Sequence, residues 1–154
     1  GCAWRCDNDV SRPPSPDERG GKMTVLALYA ITVVIFFAVD AIGLKLLIRP
    51  VFERHVAHLF ADPLRIIPAT VFYLGYVAGL LWFVSVPALR QEDPMAALVS
   101  GVLLGLMAYG TYEFTNYATL RDWSLEQVAA DTFWGGLLTG FSAWGSVMIV
   151  RAVS

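Results

Sequence analysis

Residues 24–48 read TVLALYAITVVIFFAVDAIGLKLLI, a stretch in which Asp40 and Lys45 are the only charged positions. A transmembrane α-helix needs roughly 20 apolar residues to cross the ~30 Å hydrocarbon layer of a bilayer. This stretch is long enough, and it is expected to end before Arg49-Pro50. Three comparable stretches follow. The second runs from Ile66 to Leu89, with Pro68 in its first turn and Pro87 in its last. Asp93-Pro94 reads as an N-cap followed by proline at the first helical position, and opens a third span from Pro94 to about Leu120. Ser124 and Gln127 have capping-box spacing and open a fourth helix that continues to about Arg151. Barrel strands would be ~10 residues of strict alternation, which is absent here. The expected fold is all-α, an integral membrane four-helix bundle.

Composition agrees. Hydrophobic residues make up 56% of the 154 positions and charged residues 16%, against roughly 45–50% and about 25% in soluble globular domains. That excludes a disordered chain, a disulfide scaffold and a water-soluble domain. A net charge of -2 gives no electrostatic reason to expect nucleic acid as a partner. Residues 1–22, GCAWRCDNDVSRPPSPDERGGK, read differently: charged, proline-rich and without apolar periodicity. Such a segment buries too little to offset its ordering entropy, so it is expected to be a disordered upstream extension. Met23 then opens a single four-span domain, residues 23–154. Cys2 and Cys6 have no histidine or second cysteine pair nearby, and zinc sites need about four ligands. No metal and no cofactor is expected. The span after Met23 is too long for a signal peptide and lacks a small-residue cleavage site.

Between the first two spans, VFERHVAHLFADPLR (51–65) places Val51, Phe52, Val56, Leu59 and Phe60 near helical spacing. This suggests a short amphipathic helix along the membrane interface. His55 and His58 stand at i, i+3, but no acidic third ligand at suitable spacing supports a metal site, and they read as interfacial side chains. Orientation follows from the basic residues. Starting at Met23, Arg90 and Arg151 lie on the side of the termini, whereas Lys45, Arg49, Arg54, Arg65 and Arg121 lie on the other. The positive-inside rule then puts the first and third loops in the cytoplasm and both termini outside. Counting Arg5, Arg12, Arg19 and Lys22 as well removes that asymmetry.

Glycine pairs at i, i+4 recur in three spans: Gly75 and Gly79, Gly101 and Gly105, Gly136 and Gly140. Lipid tails are as apolar as leucine, so helices in a membrane associate through close backbone approach across such small-residue strips. The expected partners are membrane lipid and a neighbouring helix. That helix belongs to this chain, to a second copy in a homo-oligomer or to another membrane protein.

Three acids lie inside the spans. Asp40 is eight residues before Ile48, Glu113 seven before Leu120, and Asp131 seven after Ser124. At 1.5 Å per residue each sits about 10–12 Å from a helix end on the same side of the membrane. A charged residue at mid-helix costs roughly 2.5–3.5 kcal/mol on insertion scales. Three such acids at one depth are expected to face the bundle interior and to pair with donors or stay protonated. Donors are at hand in the third span, where Tyr109, Glu113 and Asn116 share a face that Tyr112 flanks, and Trp134 lies one turn from Asp131. Asp40, Tyr109, Tyr112, Glu113, Asn116 and Asp131 are therefore the candidate polar cluster. It reads equally as a clasp that fixes helix register and as a half-buried pocket for a proton, cation or small polar solute.

The stretches YGTYEFTNYATLRDW (109–123), ADTFWGG (130–136) and FFAVDAIGLKLLIRPVFERHV (36–56) resemble a family of small bacterial membrane proteins, domain of unknown function 2177. The resemblance extends from Met23 to the C-terminus. It implies a four-helix inner-membrane protein and carries no established activity with it. The family more often has aspartate where this chain has Glu113, which keeps the carboxylate and lengthens its reach.

No catalytic constellation is present. There is no glycine-rich phosphate loop, no HExxH, and the serines of the spans lack a histidine partner. The leading functional expectation is a small transporter or channel-like protein that handles protons or small solutes. A non-catalytic membrane subunit docking other helices through its glycine faces is the alternative, and an enzyme acting on lipid or prenyl substrates is the third.

Overall fold

The computed structural model describes residues 16–61, 63 and 65–153, and no strand occurs among them. Four helical stretches are long and apolar enough to cross a membrane: Gly20–Leu59, Ile66–Arg90, Pro94–Thr119 and Leu125–Val153. The chain is an all-α membrane bundle.

The first stretch departs from expectation at both ends. Helix α1 begins at Pro16 and runs to Gly43. Residues 16–22 are therefore helical where disorder was expected, because extending an existing helix is far cheaper than nucleating one. Residues 1–15, including Cys2 and Cys6, lie outside the described residues. Nor does Arg49-Pro50 stop the helix. A π-helical turn at Leu44–Ile48 leads directly into α2, Arg49–Val56, and a 3₁₀ turn at Ala57–Leu59 closes the stretch. The expected interfacial helix is thus a continuation of the first span. The second span repeats the device: α3 (Ile66–Leu80), a π turn at Leu81–Ser85, then α4 (Val86–Arg90) with Pro87 inside it. Proline lacks an N–H, and its ring crowds the carbonyl four residues back. A wider π turn just before Pro50 and Pro87 relieves that clash without breaking the helix.

The other boundaries match the sequence signals. Helix α5 covers Pro94–Thr119, and the Asp93 carboxylate accepts from the backbone N–H of Met95 (3.0 Å) and Ala96 (3.1 Å). Helix α6 covers Leu125–Val153 behind a reciprocal capping box. There the Ser124 N–H donates to Gln127 Oε1 (3.0 Å) and the Gln127 N–H donates to Ser124 Oγ (3.2 Å).

Helix α6 is the central element, packed along α5 and α1 and touching every other span. A Cβ on Gly101 would lie 2.8 Å from the Gly140 Cα, and one on Gly105 would collide with the Gly135 carbonyl oxygen. A Cβ on Gly140 would stand 2.9 Å from the Leu98 carbonyl, and one on Gly136 2.9 Å from the Leu106 side chain. Gly101, Gly105 and Gly140 let the two backbones meet directly, and Gly136 makes room for Leu106. Gly75 and Gly79 do not serve a contact inside the chain, since the space beside them is open. The apolar core, with Leu28, Phe36, Leu80, Leu138 and Val147, fills the bundle on the side of the Arg90 and Arg151 ends. Toward the other end the second span packs little: Ile66, Ile67, Val71 and Phe72 of α3 are all exposed. That end is where the polar residues collect.

Candidate functional site

Asp40, Glu113 and Asp131 are all buried, at 6%, 0% and 8% exposure. They come from α1, α5 and α6 and converge. The Glu113 and Asp131 carboxyls are immediate neighbours, and Asp40 is the next charge that Asp131 meets.

Their donors differ from one acid to the next. Trp123, in the turn between α5 and α6, donates its indole N–H to Glu113 Oε2 at 2.7 Å. Glu113 Oε1 is buried with no partner of hydrogen-bond geometry among the described residues. Trp134 of α6 donates to Asp40 Oδ1 at 3.4 Å. Its ring packs against α1 because residue 43 is glycine; any Cβ there would overlap the indole. Tyr109 likewise lies over Gly135. Asn116, expected to reach an acid, lies instead against the Tyr112 hydroxyl.

Beside this cluster is a cavity of about 1150 Å³. Its wall is built from the C-terminal part of the first span, α3, α5 and α6. Asp40, Asp131, Tyr73, Tyr76, Tyr109 and Tyr112 supply polar groups, Leu44, Ile48, Phe52, Phe60 and Phe72 supply apolar surface, and Lys45 and Arg49 stand nearer the helix end. A mainly apolar concavity with a few convergent polar groups is the usual form of a small-molecule site. Glu113 does not line it and acts from behind Asp131. Of the four tyrosines, Tyr76 is fixed by a 3.0 Å hydrogen bond with Thr139 Oγ1.

The floor of the cavity is held in place by α2. Phe52 packs edge-on to Trp123 (5.5 Å between ring centroids, 90°), and so does Tyr112 (5.8 Å, 83°). Val56, Trp123 and Val128 form a small buried cluster beneath them. On the surface, Arg54 and His55 both reach Glu126, at 2.6 and 2.9 Å, and His58 reaches Asp122 at 3.3 Å. The two histidines thus serve separate carboxylates. Exposed pairs of this kind contribute little individually, so the aromatic stack is the main clamp. Among the described residues no group of three or more histidine, cysteine, aspartate and glutamate side chains has metal-site geometry.

Sequence reasoning missed Tyr73, Tyr76 and Trp123. The tyrosines stand at i, i+3 in VFYLGY (71–76), a spacing that puts both on one helix face. Nothing local marks Trp123 as the partner of a residue ten positions away.

No curated protein and no solved structure matches the chain. A family model does, the one described as predicted membrane protein (DUF2177), over residues 25–148. That range contains all three buried acids, both tryptophan donors and the whole cavity wall. The chain belongs to the DUF2177 family of predicted membrane proteins.

Proposed function

We propose that this protein handles small solutes or protons within the membrane, as a small transporter or channel-like protein of the bacterial inner membrane. The observation that carries the reading is the 1150 Å³ cavity with Asp40 and Asp131 in its wall. Intramembrane acids are expensive to insert, and they usually mark ion or substrate paths. A clasp that only fixed helix register would need no adjoining space. The positive-inside count from Met23 onward supports a cytoplasmic cavity end with the termini outside. Membrane lipid surrounds the exposed apolar faces of the spans.

A second reading is favoured by one feature. Gly75 and Gly79 form a small-residue strip with open space beside it, which suits a helix of a second copy or of another membrane protein. In this reading the protein is a docking subunit.

Reconstitution separates the two. Vesicles containing the protein and an internal pH-sensitive dye should equilibrate an imposed proton or ammonium gradient faster than empty vesicles. Asp131→Asn should abolish the difference, and Gly75→Leu should leave it intact. Equal rates in protein-containing and empty vesicles would remove the transport reading. Loss of self-association in Gly75→Leu would then support docking.

A further inference from the structure

The cavity is lined unevenly. Its two acids are more than nine-tenths buried. Asp131 shares a hydrogen bond with the Glu113 carboxyl and has Asp40 as its next charged neighbour, and no N–H or basic side chain reaches it among the described residues. Asp40 has one long bond, from Trp134 at 3.4 Å. The basic side chains of the wall do not compensate these acids. Arg49 is bound to Glu53 at 2.6 Å, and Lys45 is exposed and forms no ion pair among the described residues. A lysine near a helix end extends its stem so that its ammonium stays at the interface. No basic side chain neutralises the acids deep in the cavity, so whatever negative charge they carry has no resident counter-charge. The remaining polar wall is aromatic, Tyr73, Tyr76, Tyr109 and Tyr112. The face of an aromatic ring attracts cations, more strongly where water is excluded.

We propose that the cavity is a site for an organic cation, an ammonium or phosphonium group with apolar substituents, held between Asp131 and Asp40 and enclosed by the tyrosine rings. This rests on the reading of the cavity as a solute site and names its ligand class. The apolar part of the wall, Phe52, Phe60 and Phe72 among others, accommodates the substituents. The acids supply the negative charge that pairs with the cation. An anionic amphiphile finds the opposite arrangement, with Lys45 and a Glu53-paired Arg49 at the rim and two acids at depth.

Two probes of one shape and opposite charge test this: tetraphenylphosphonium and tetraphenylborate. Each is titrated calorimetrically into the full chain in mild detergent, with protein-free micelles as the blank. The expected result is saturable binding of the phosphonium ion and at least about tenfold weaker binding of the borate. Asp131→Asn should weaken phosphonium binding about tenfold or more while its melting temperature stays near that of the parent. Lys45→Gln should leave the phosphonium affinity unchanged or raise it. Borate binding as tight as phosphonium would overturn the cation assignment and leave the solute site standing. Saturable binding of neither ion would overturn both. Unchanged phosphonium affinity in a folded Asp131→Asn/Asp40→Asn variant would also overturn the assignment.

Discussion

Replacing Gly105 with leucine should prevent the protein from accumulating in the membrane. Even a single Cβ at this position meets the Gly135 carbonyl oxygen, and the next nearest atoms belong to Thr139. A backbone oxygen in the middle of a helix cannot rotate away as a side chain can, so α5 and α6 must separate along their length. Overpacking usually costs about 1–3 kcal/mol, and here the obstruction is backbone, so the loss should exceed about 3 kcal/mol. Gly75→Leu is the matched control. It adds the same side chain to a glycine with open space beside it, and should change stability by less than about 0.5 kcal/mol. Thermal melts in detergent read both. Equal damage at the two positions would mean that the small-residue strips of α3 and α5 serve equivalent contacts, contrary to the packing described.

The second large effect lies at Trp123, which joins three things at once. Its N–H satisfies one oxygen of a fully buried glutamate, its ring seats Phe52 and Tyr112, and it caps the Val56–Val128 contact that holds α2 to α6. Trp123→Ala should cost about 3–5 kcal/mol, as large-to-small changes at buried aromatics do. Trp123→Phe keeps much of the packing and removes the donor, for about 1–3 kcal/mol. In a Glu113→Leu background the phenylalanine change should become nearly neutral, since no carboxylate is left to orphan. A cost for Trp123→Phe that is the same in both backgrounds would show that the indole N–H contributes nothing to holding Glu113.

The spans were legible because membrane insertion imposes a simple rule, a long apolar run per crossing. Their ends were legible where a side chain itself forms the boundary, as at Asp93, Ser124 and Gln127. Arg49-Pro50 misled because proline marks a helix end only when the helix cannot widen around it. The π turns at Leu44–Ile48 and Leu81–Ser85 are where it does. Asp40, Glu113 and Asp131 stand at matched depths along their helices because rise per residue is fixed by the backbone. Rotation about each helix axis is set by packing, which single-residue spacing does not encode. That is why Asn116 points to Tyr112 and not to an acid, and why Glu113 sits behind the cavity wall while Asp131 forms part of it. The partnership of Trp123 with Glu113 depends on how the α5–α6 turn folds back, a property of the assembled bundle.

The central claim is that the cavity lined by the first span, α3, α5 and α6 holds a small molecule. Native mass spectrometry of the protein extracted in mild detergent tests it directly. The parent protein should carry a small-molecule adduct that persists through gentle activation. Ala41 and Ala108 both line the cavity, and tryptophan at each places an indole in its interior. The Ala41→Trp/Ala108→Trp variant should fold, retain its annular lipid and lose the adduct. A parent protein free of any adduct beyond annular lipid, or a double variant that carries the same adduct at the same occupancy, would contradict the account.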